Sequence, residues 1–203
     1  MTSTTNQTWP ELSFPDAEGA YLREHYASAR VILEYGSGGS TVLAAGMPGK
    51  RVFSVESDRD WSLRLQRRLE GGDLPSAATV HYVDIGPTGP WGRPVGPQAW
   101  QQFWRYPASV WDAPWFRHPD LVLIDGRFRT ACFMTVLVRI SRPVTILFDD
   151  YQTRPAYHGV ERFCAPAEQV GRLARFQAVP GLVASADFSQ LLDLFNRTTY
   201  AAG

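Results

Sequence analysis

Acidic residues stand at the ends of five short apolar segments in this chain of 203 residues. The segments are typical of buried strands, and the stretches between them are amphipathic or interrupted by turns. Strands that alternate with helices predict a parallel sheet with right-handed crossovers, whose ligands bind beyond the carboxyl ends of the strands. The acids are therefore predicted to line one crevice: Glu34, Glu56, Asp84, Asp125 and the pair Asp149 and Asp150.

A glycine-rich turn follows the first of these acids, with Gly36 and Gly38 at its centre. A dinucleotide fingerprint needs a third glycine where Thr41 stands, and Glu34 would face the pyrophosphate unfavourably. S-adenosylmethionine has an ammonium, a sulfonium and no phosphate, so it suits an acid at this position, which would bind the ammonium directly or through water. Glu56 follows 22 positions after Glu34, close to the spacing of a ribose-binding acid.

Five motifs in order, EYGSGGST, VFSVESD, VDIG, DLVLIDG and ILFDD, resemble the motif ladder of class I S-adenosylmethionine-dependent methyltransferases. The resemblance covers residues 31–150 and implies an α/β fold. That fold is a Rossmann-like, seven-stranded, mostly parallel sheet with an antiparallel last strand and helices on both faces. The resemblance also implies an enzyme that binds S-adenosylmethionine, with cofactor contacts from Glu34, Gly36, Ser37, Gly38, Thr41, Glu56, Ser57, Asp84, Ile85 and Asp125.

Two partial resemblances bear on the methyl acceptor. The chain is similar to catechol and caffeoyl-coenzyme A O-methyltransferases, in which an acid after strand four and an Asp-Asn pair after strand five hold a divalent metal. Asp125, Asp149 and Asp150 stand at those positions, which implies Mg²⁺ or another divalent cation. Without a metal, at least one of these carboxyl pKa values is expected to rise. A gapped pattern from Asp150 to Cys164 is similar to polysaccharide glucuronic-acid O-methyltransferases.

O-methylation of a small-molecule or sugar acceptor is the leading hypothesis. Such a reaction needs a base or a metal at the acceptor oxygen, and the candidate catalytic residues are Asp125, Asp150 and His158. Methylation of a nucleic-acid base is disfavoured because IDGR stands where that chemistry places a (D/N)PPY motif. Two alternatives stay open: a catalytically degenerate S-adenosylmethionine-binding protein on the same fold and, with less support, an NAD(P)-dependent oxidoreductase.

The charge balance, the N-terminal sequence and the cysteine content disfavour several partners and locations. The 20 basic residues balance the 20 acidic ones, which disfavours a nucleic-acid partner and a polybasic membrane contact. The N-terminus lacks a signal-peptide pattern and no apolar run reaches membrane-spanning length, so a cytoplasmic protein is expected. The two cysteines form no CxxC pair, which disfavours a structural zinc site and a disulfide scaffold.

The chain is predicted to form one domain, residues 16–203, after a loose arm over residues 1–15. An insertion at 85–119, rich in Gly, Pro and Trp, interrupts the alternating pattern. It predicts a lid with an acceptor pocket, an aromatic layer packed on the sheet edge, or a dimer interface, and the oligomeric state is left open.

The boundaries of the elements follow from apolar periodicity and capping residues. Helices are predicted at 16–29 (capped by Asp16), 41–45, 57–69 (capped by Ser57), 130–140 and 156–173. Strands are predicted at 31–35, 51–56, 79–84, 121–124 and 144–148, with a closing antiparallel pair at 175–179 and 182–188.

Overall fold

A computed structural model describes residues 9–201 of the chain. Seven strands form one sheet: β1 (Val31–Tyr35), β2 (Arg51–Glu56), β3 (Ala77–Tyr82), β4 (Leu121–Ile124), β5 (Val144–Phe148), β6 (Glu168–Val170) and β7 (Leu173–Ala178). The α-helices are α1 (Asp16–Ser28), α2 (Gly39–Ala45), α3 (Arg59–Gly71), α4 (Trp100–Phe103), α5 (Arg105–Ala108), α6 (Arg129–Arg139) and α7 (Phe188–Phe195). Short 3-10 turns lie at Pro90–Gly92, Pro97–Ala99, Ser109–Asp112, Pro155–Arg162 and Ser185–Asp187.

The strand order is β3-β2-β1-β4-β5-β7-β6. Strands β1 to β5 run parallel, β7 runs antiparallel to β5, and β6 pairs antiparallel with β7. The predicted Rossmann-like, mostly parallel sheet is confirmed. The chain order reverses between β1 and β4, and this switch point is where such sheets bind ligands.

Alternation along β1 sends its side chains to two different cores. Leu33 and Tyr35 join the larger core with α6, whereas Ile32 joins a second core with Leu22 and Tyr26 of α1. Because side chains two apart in a strand share a face, Glu34 points to the same side as Ile32. Helices therefore cover both faces of the sheet, and the first strand-end acid lies on the α1 side.

The C-terminal third differs from the sequence prediction. The predicted helix at 156–173 is wrong: a 3-10 turn, Pro155–Arg162, is followed by the β6–β7 hairpin. Pro166 has no amide hydrogen for a helix, and Gly171 forms the tight turn between the strands with φ 53°. The predicted strand at 182–188 is also wrong, because this segment leads into α7.

Three predicted helix starts also need correction. Pro15 precedes α1 without a side-chain cap, so Asp16 is a first-turn residue rather than the cap. Asp58, and not Ser57, caps α3 by accepting the backbone N–H of Trp61 at 2.9 Å. Helix α2 begins two residues earlier than predicted, at Gly39.

The arm before α1 is packed over residues 9–15, so the predicted looseness is wrong for this part. A Cβ on Gly39 would collide with the backbone carbonyl of Glu11, and one on Gly72 would lie 2.7 Å from the Trp9 ring. Leu12 and Phe14 pack against the core on the α1 side. The remainder of the predicted arm, residues 1–8, lies outside the described residues. No helix within residues 9–201 is long and apolar enough to cross a membrane.

Candidate active site

Glu34 lies beneath the glycine turn, with no exposed surface. Its two carboxylate oxygens accept hydrogen bonds from the hydroxyls of Tyr26 and Thr41, each at 2.5 Å. The Thr41 hydroxyl in turn accepts the backbone N–H of Gly38 at 3.0 Å. Burial raises the pKa of Glu34, and the bonds from Thr41 and Tyr26 oppose this. Glu34 thus anchors the turn from below, and its direct contact with a ligand ammonium stays a prediction.

Glu56 ties the end of β2 to the same turn. One carboxylate oxygen accepts the backbone N–H groups of Ser57 and Asp58 at 2.7 and 2.9 Å. The other accepts the Ser37 hydroxyl at 2.8 Å. Burial raises the pKa of Glu56, while these hydrogen bonds favour its charged form. A buried carboxylate is therefore held at the end of β2, beside the glycine turn, where the sequence predicts a ribose-binding acid.

The turns that follow β1 and β4 touch through their backbones. Gly36 has φ 103°, and a Cβ there would lie 2.9 Å from the Gly126 Cα. A Cβ on Gly126 would collide with the hydroxyl of Tyr106. Only glycine fits this contact at both positions. As a result Asp125, the residue before Gly126, lies directly beside the glycine turn.

Arg129, at the start of α6, connects the three aspartates that follow β4 and β5. Its side chain is 6% exposed, and its guanidinium lies 2.9 Å from Asp125 Oδ1 and 3.3 Å from Asp150 Oδ2. It also donates to the backbone carbonyl of Asp149 at 2.6 Å. The structure thus brings the three aspartates together around one buried guanidinium.

Two further arginines complete this network. Arg172 Nε lies 2.8 Å from Asp149 Oδ1, and Arg154 Nη2 lies 2.9 Å from Asp150 Oδ2. Guanidinium groups therefore occupy the space in which a cation would have to bind, and this arrangement does not fit a divalent metal. Among the described residues, no group of three His, Cys, Asp or Glu side chains is placed to hold a metal ion. The predicted metal role of the three aspartates therefore has no support in this arrangement.

The surroundings of Asp125 shift its pKa. Its pKa is raised to about 7, chiefly by burial; Arg129 opposes this rise, and the nearby Asp149 contributes to it. A rise in at least one carboxyl pKa was predicted from repulsion among the aspartates, but burial is the larger cause. The side chain is nevertheless 29% exposed, so it can be reached from the solvent.

His158 makes a structural contact in the 3-10 turn. Its Nε2 lies 3.0 Å from the carbonyl oxygen of Tyr151, and its ring stacks on the Tyr151 ring at 4.7 Å. A carbonyl only accepts, so Nε2 must carry the hydrogen, which leaves Nδ1 as the nitrogen without it in the neutral ring. The catalytic roles of His158 and Asp150 stay predictions.

The predicted adenine-binding pair lies farther along the sheet edge. Asp84 is exposed and accepts the backbone N–H of Gly86 at 2.9 Å, so its side chain stabilises the turn after β3. Ile85 is 1% exposed within the larger core. Ser57 donates to the carbonyl of Gly92 at 2.9 Å and so fastens the insertion to the end of β2.

The insertion at 85–119 consists of short helical turns with aromatic residues on two sides. On the inner side, Trp111 donates to the hydroxyl of Tyr35 at 2.8 Å, and Trp115 packs on Phe53 at 5.6 Å between ring centroids. On the outer side, Trp91 and Trp100 are exposed. Part of the insertion therefore packs on the sheet, and its role as a lid stays a prediction.

The sequence predictions missed the arginines of the site. Arg129 lies four residues after Asp125, a spacing that allows an ion pair, so the segment IDGRFR held a usable signal. Arg172 had no such signal, because it lies in the hairpin that was predicted as helix. The tyrosine beneath Glu34 was also missed, since it belongs to a helix eight residues earlier.

We compared the chain with protein families, curated proteins and solved structures. No family model matches the chain, and no curated protein matches it. A methyltransferase-like protein of Silicibacter pomeroyi is 46% identical over 94% of this chain and 99% of its own, with a TM-score of 0.89.

Two more distant structures show the fold alone. The O-methyltransferase TomG of Streptomyces achromogenes, in complex with S-adenosylmethionine, is 20% identical over 84% of this chain and 82% of its own, with a TM-score of 0.54. An O-methyltransferase of Bacillus cereus, in complex with S-adenosylhomocysteine, is 17% identical over 75% of this chain and 64% of its own, with a TM-score of 0.50. The 46% identical relative, the order of the strands and the five sequence motifs together show that this chain belongs to the class I S-adenosylmethionine-dependent methyltransferases.

Proposed function

We propose that this protein transfers a methyl group from S-adenosylmethionine to an oxygen atom of a small-molecule acceptor. One observation carries the proposal: Asp125, with a pKa of about 7, stands beside the glycine turn at the switch point of the sheet. A general base is most effective when its pKa lies near the working pH. The bound complexes of TomG and of the Bacillus cereus enzyme support the choice of cofactor.

The residues present fit the cofactor. Glu56 is a carboxylate at the end of β2 that would accept the ribose hydroxyls, and the glycines of the turn from Gly36 to Gly38 let the amino-acid end approach the backbone closely. A Cβ on Gly38 would meet nothing within 4 Å among the described residues, so the turn leaves space at that point. When bound, S-adenosylmethionine supplies an electrophilic methyl group on a sulfonium.

Asp125 would bind the acceptor hydroxyl and take up its proton. Arg129 holds the carboxylate at 2.9 Å and so fixes its orientation. Because the pKa of Asp125 is raised, the carboxylate accepts a proton more readily than an exposed aspartate does. Asp150 is less suited, since Arg129 and Arg154 both neutralise it. An oxygen acceptor needs such a base, because its hydroxyl is a weak nucleophile while it keeps its proton.

Calorimetric titration with S-adenosylhomocysteine tests the cofactor assignment. Glu56→Gln is expected to lower the affinity about tenfold or more, since a hydrogen bond to a charged group is worth roughly 1.5–3 kcal/mol. Glu70→Gln on the exposed side of α3 is the matched control and should leave the affinity unchanged. Tight binding of NADH without binding of S-adenosylhomocysteine would refute the assignment and revive the oxidoreductase alternative.

Methyl transfer itself is tested with a panel of small hydroxylated acceptors. Asp125→Asn should abolish turnover while it preserves the affinity for S-adenosylhomocysteine. Normal cofactor binding without turnover on any oxygen acceptor would instead support the binding-protein alternative. Equal rates for Asp125→Asn and the wild type would refute the role of Asp125 as base.

A further inference from the structure

A cavity of about 370 Å³ opens at Gly126, the residue after Asp125, between the start of α6, the 3-10 turn Pro155–Arg162 and the C-terminal segment. None of the described residues that line it is acidic. Four of them are arginines: Arg127, Arg129, Arg154 and Arg197. A concave site lined with cations concentrates positive potential and selects ligands of opposite charge.

Three of these arginines already have partners. Arg129 and Arg154 pair with the aspartates of the network. Arg197 lies 2.6 Å from Asp193 and also donates to the carbonyl of Ala156. Their charges are therefore largely neutralised within the protein.

Arg127 is different, because its guanidinium makes no hydrogen bond or ion pair with any of residues 9–201. Its Nε is buried and has no partner, and the same holds for Nε of the nearby Arg93. Burial is the largest cause and lowers the pKa of Arg127; the charges of Arg129 and Arg93 lower it further, whereas Tyr106 and Asp125 oppose this. A partly buried cation beside other cations is costly unless an anion binds it.

The start of α6 adds to the positive potential. Phe128 precedes the helix in the left-handed conformation, with φ 50°, and provides no side-chain cap. The first turn contains no acidic residue, although carboxylates favour this position. The first N–H groups of the helix, at Arg129 and Thr130, belong to residues that line the same cavity.

We propose that this cavity binds an oxyanion carried by the methyl acceptor, a carboxylate or a phosphate, and that Arg127 is its main ligand. A guanidinium matches both groups with two parallel hydrogen bonds. Arg127 lies two residues after Asp125 and interacts with its charge, so an acceptor held by its oxyanion would place a hydroxyl near the proposed base. The inference rests on the proposed function and specifies the substrate class: small hydroxylated molecules with a negative charge.

Thermal unfolding and calorimetry with inorganic phosphate test the site, with chloride at matched ionic strength as the reference. Phosphate should raise the melting temperature of the wild type and of Arg127→Lys. It should bind Arg127→Gln at least tenfold more weakly. The matched control is Arg51→Gln, an exposed arginine at the start of β2, and it should respond as the wild type does. Without phosphate, Arg127→Gln should be no less stable than the wild type. If Arg127 had only a structural role, the same substitution would lower the melting temperature.

The carboxylate of the cofactor is the second possible source of the oxyanion, and a further pair of titrations separates the two. S-adenosylhomocysteine has this carboxylate, whereas 5′-methylthioadenosine lacks it. The proposal expects Arg127→Gln to bind both with wild-type affinity. A tenfold loss for S-adenosylhomocysteine alone would overturn it and assign Arg127 to the cofactor. Equal phosphate binding by the wild type and Arg127→Gln would also overturn it. A wild type that does not bind S-adenosylhomocysteine would refute the methyltransfer proposal, and with it the role of this oxyanion in an acceptor.

Discussion

Replacement of Arg129 by methionine should destabilise the protein strongly. The substitution keeps helix propensity nearly constant, so the loss would come from the site. It removes the guanidinium from Asp125 and Asp150 and leaves three backbone carbonyls without their donor, those of Gly126, Asp125 and Asp149. Breaking a buried ion pair by removing one partner costs about 3–5 kcal/mol, and this range is the expected loss.

The loss should depend on pH, because the aspartates differ in their remaining partners. Asp149 keeps Arg172 and Asp150 keeps Arg154, whereas Asp125 has no other ion pair among the described residues. In the variant the pKa of Asp125 should rise above its value of about 7. Protonation then limits the cost at low pH, and each pH unit below the shifted pKa spares up to about 1.4 kcal/mol.

Urea unfolding followed by circular dichroism measures both effects. Arg139→Met on the same helix is the matched control. Arg139 is 36% exposed and pairs with an exposed aspartate, so its loss should cost about 1 kcal/mol or less. The double variant Arg129→Met, Asp125→Asn should recover part of the stability lost at high pH. An Arg129→Met variant within about 1 kcal/mol of Arg139→Met would refute the view that this arginine holds the network together.

Other predictions concern packing, titration and the thiols. Gly126→Ala should lower the unfolding free energy by about 1–3 kcal/mol because its Cβ collides with neighbouring groups, whereas Gly71→Ala, with open space around it, should not; chemical denaturation compares them. Asp125 binds a proton more tightly in the folded than in the unfolded protein, so its contribution to stability is present below about pH 4 and is lost as the pH rises towards 7. Asp125→Asn should therefore reduce the dependence of the unfolding free energy on pH in this range, and an unchanged dependence would contradict the raised pKa. Burial raises the pKa of both thiols, so a thiol reagent should label half-buried Cys164 slowly and fully buried Cys132 only after unfolding. In Cys164→Ser only Cys132 remains, and its rapid labelling in the native protein would contradict this.

Apolar runs with clear ends predicted the centre of the sheet. Strands β1, β2, β4 and β5 have the predicted bounds, because each is buried and ends at a polar residue or a turn. Strand β3, predicted at 79–84, begins and ends two residues earlier, since it is an edge strand with alternating exposure. The C-terminal hairpin was missed because a two-residue turn within a polar stretch resembles an interrupted helix in composition.

The sequence predicted which acidic residues form the site but not which residues contact them. Parallel topology alone gathers strand ends at one edge, so the aspartates after β4 and β5 could be placed together from order. What each acid contacts depends on tertiary packing. Tyr26 reaches Glu34 from α1, and Arg172 reaches Asp149 from the turn between β6 and β7, beside the end of β5. Neither contact follows from local spacing.

The arginines are distributed unevenly among the three aspartates. Arg129 is shared, and Asp149 and Asp150 each have a second guanidinium within 3 Å. Asp125 has only its share of Arg129 and is opposed by the two charged neighbours. The arginines thus stabilise an acid-rich edge and leave one carboxyl free to exchange a proton near neutral pH. That carboxyl is the one beside the glycine turn and the cavity lined by Arg127, where a cofactor and an anionic acceptor would meet.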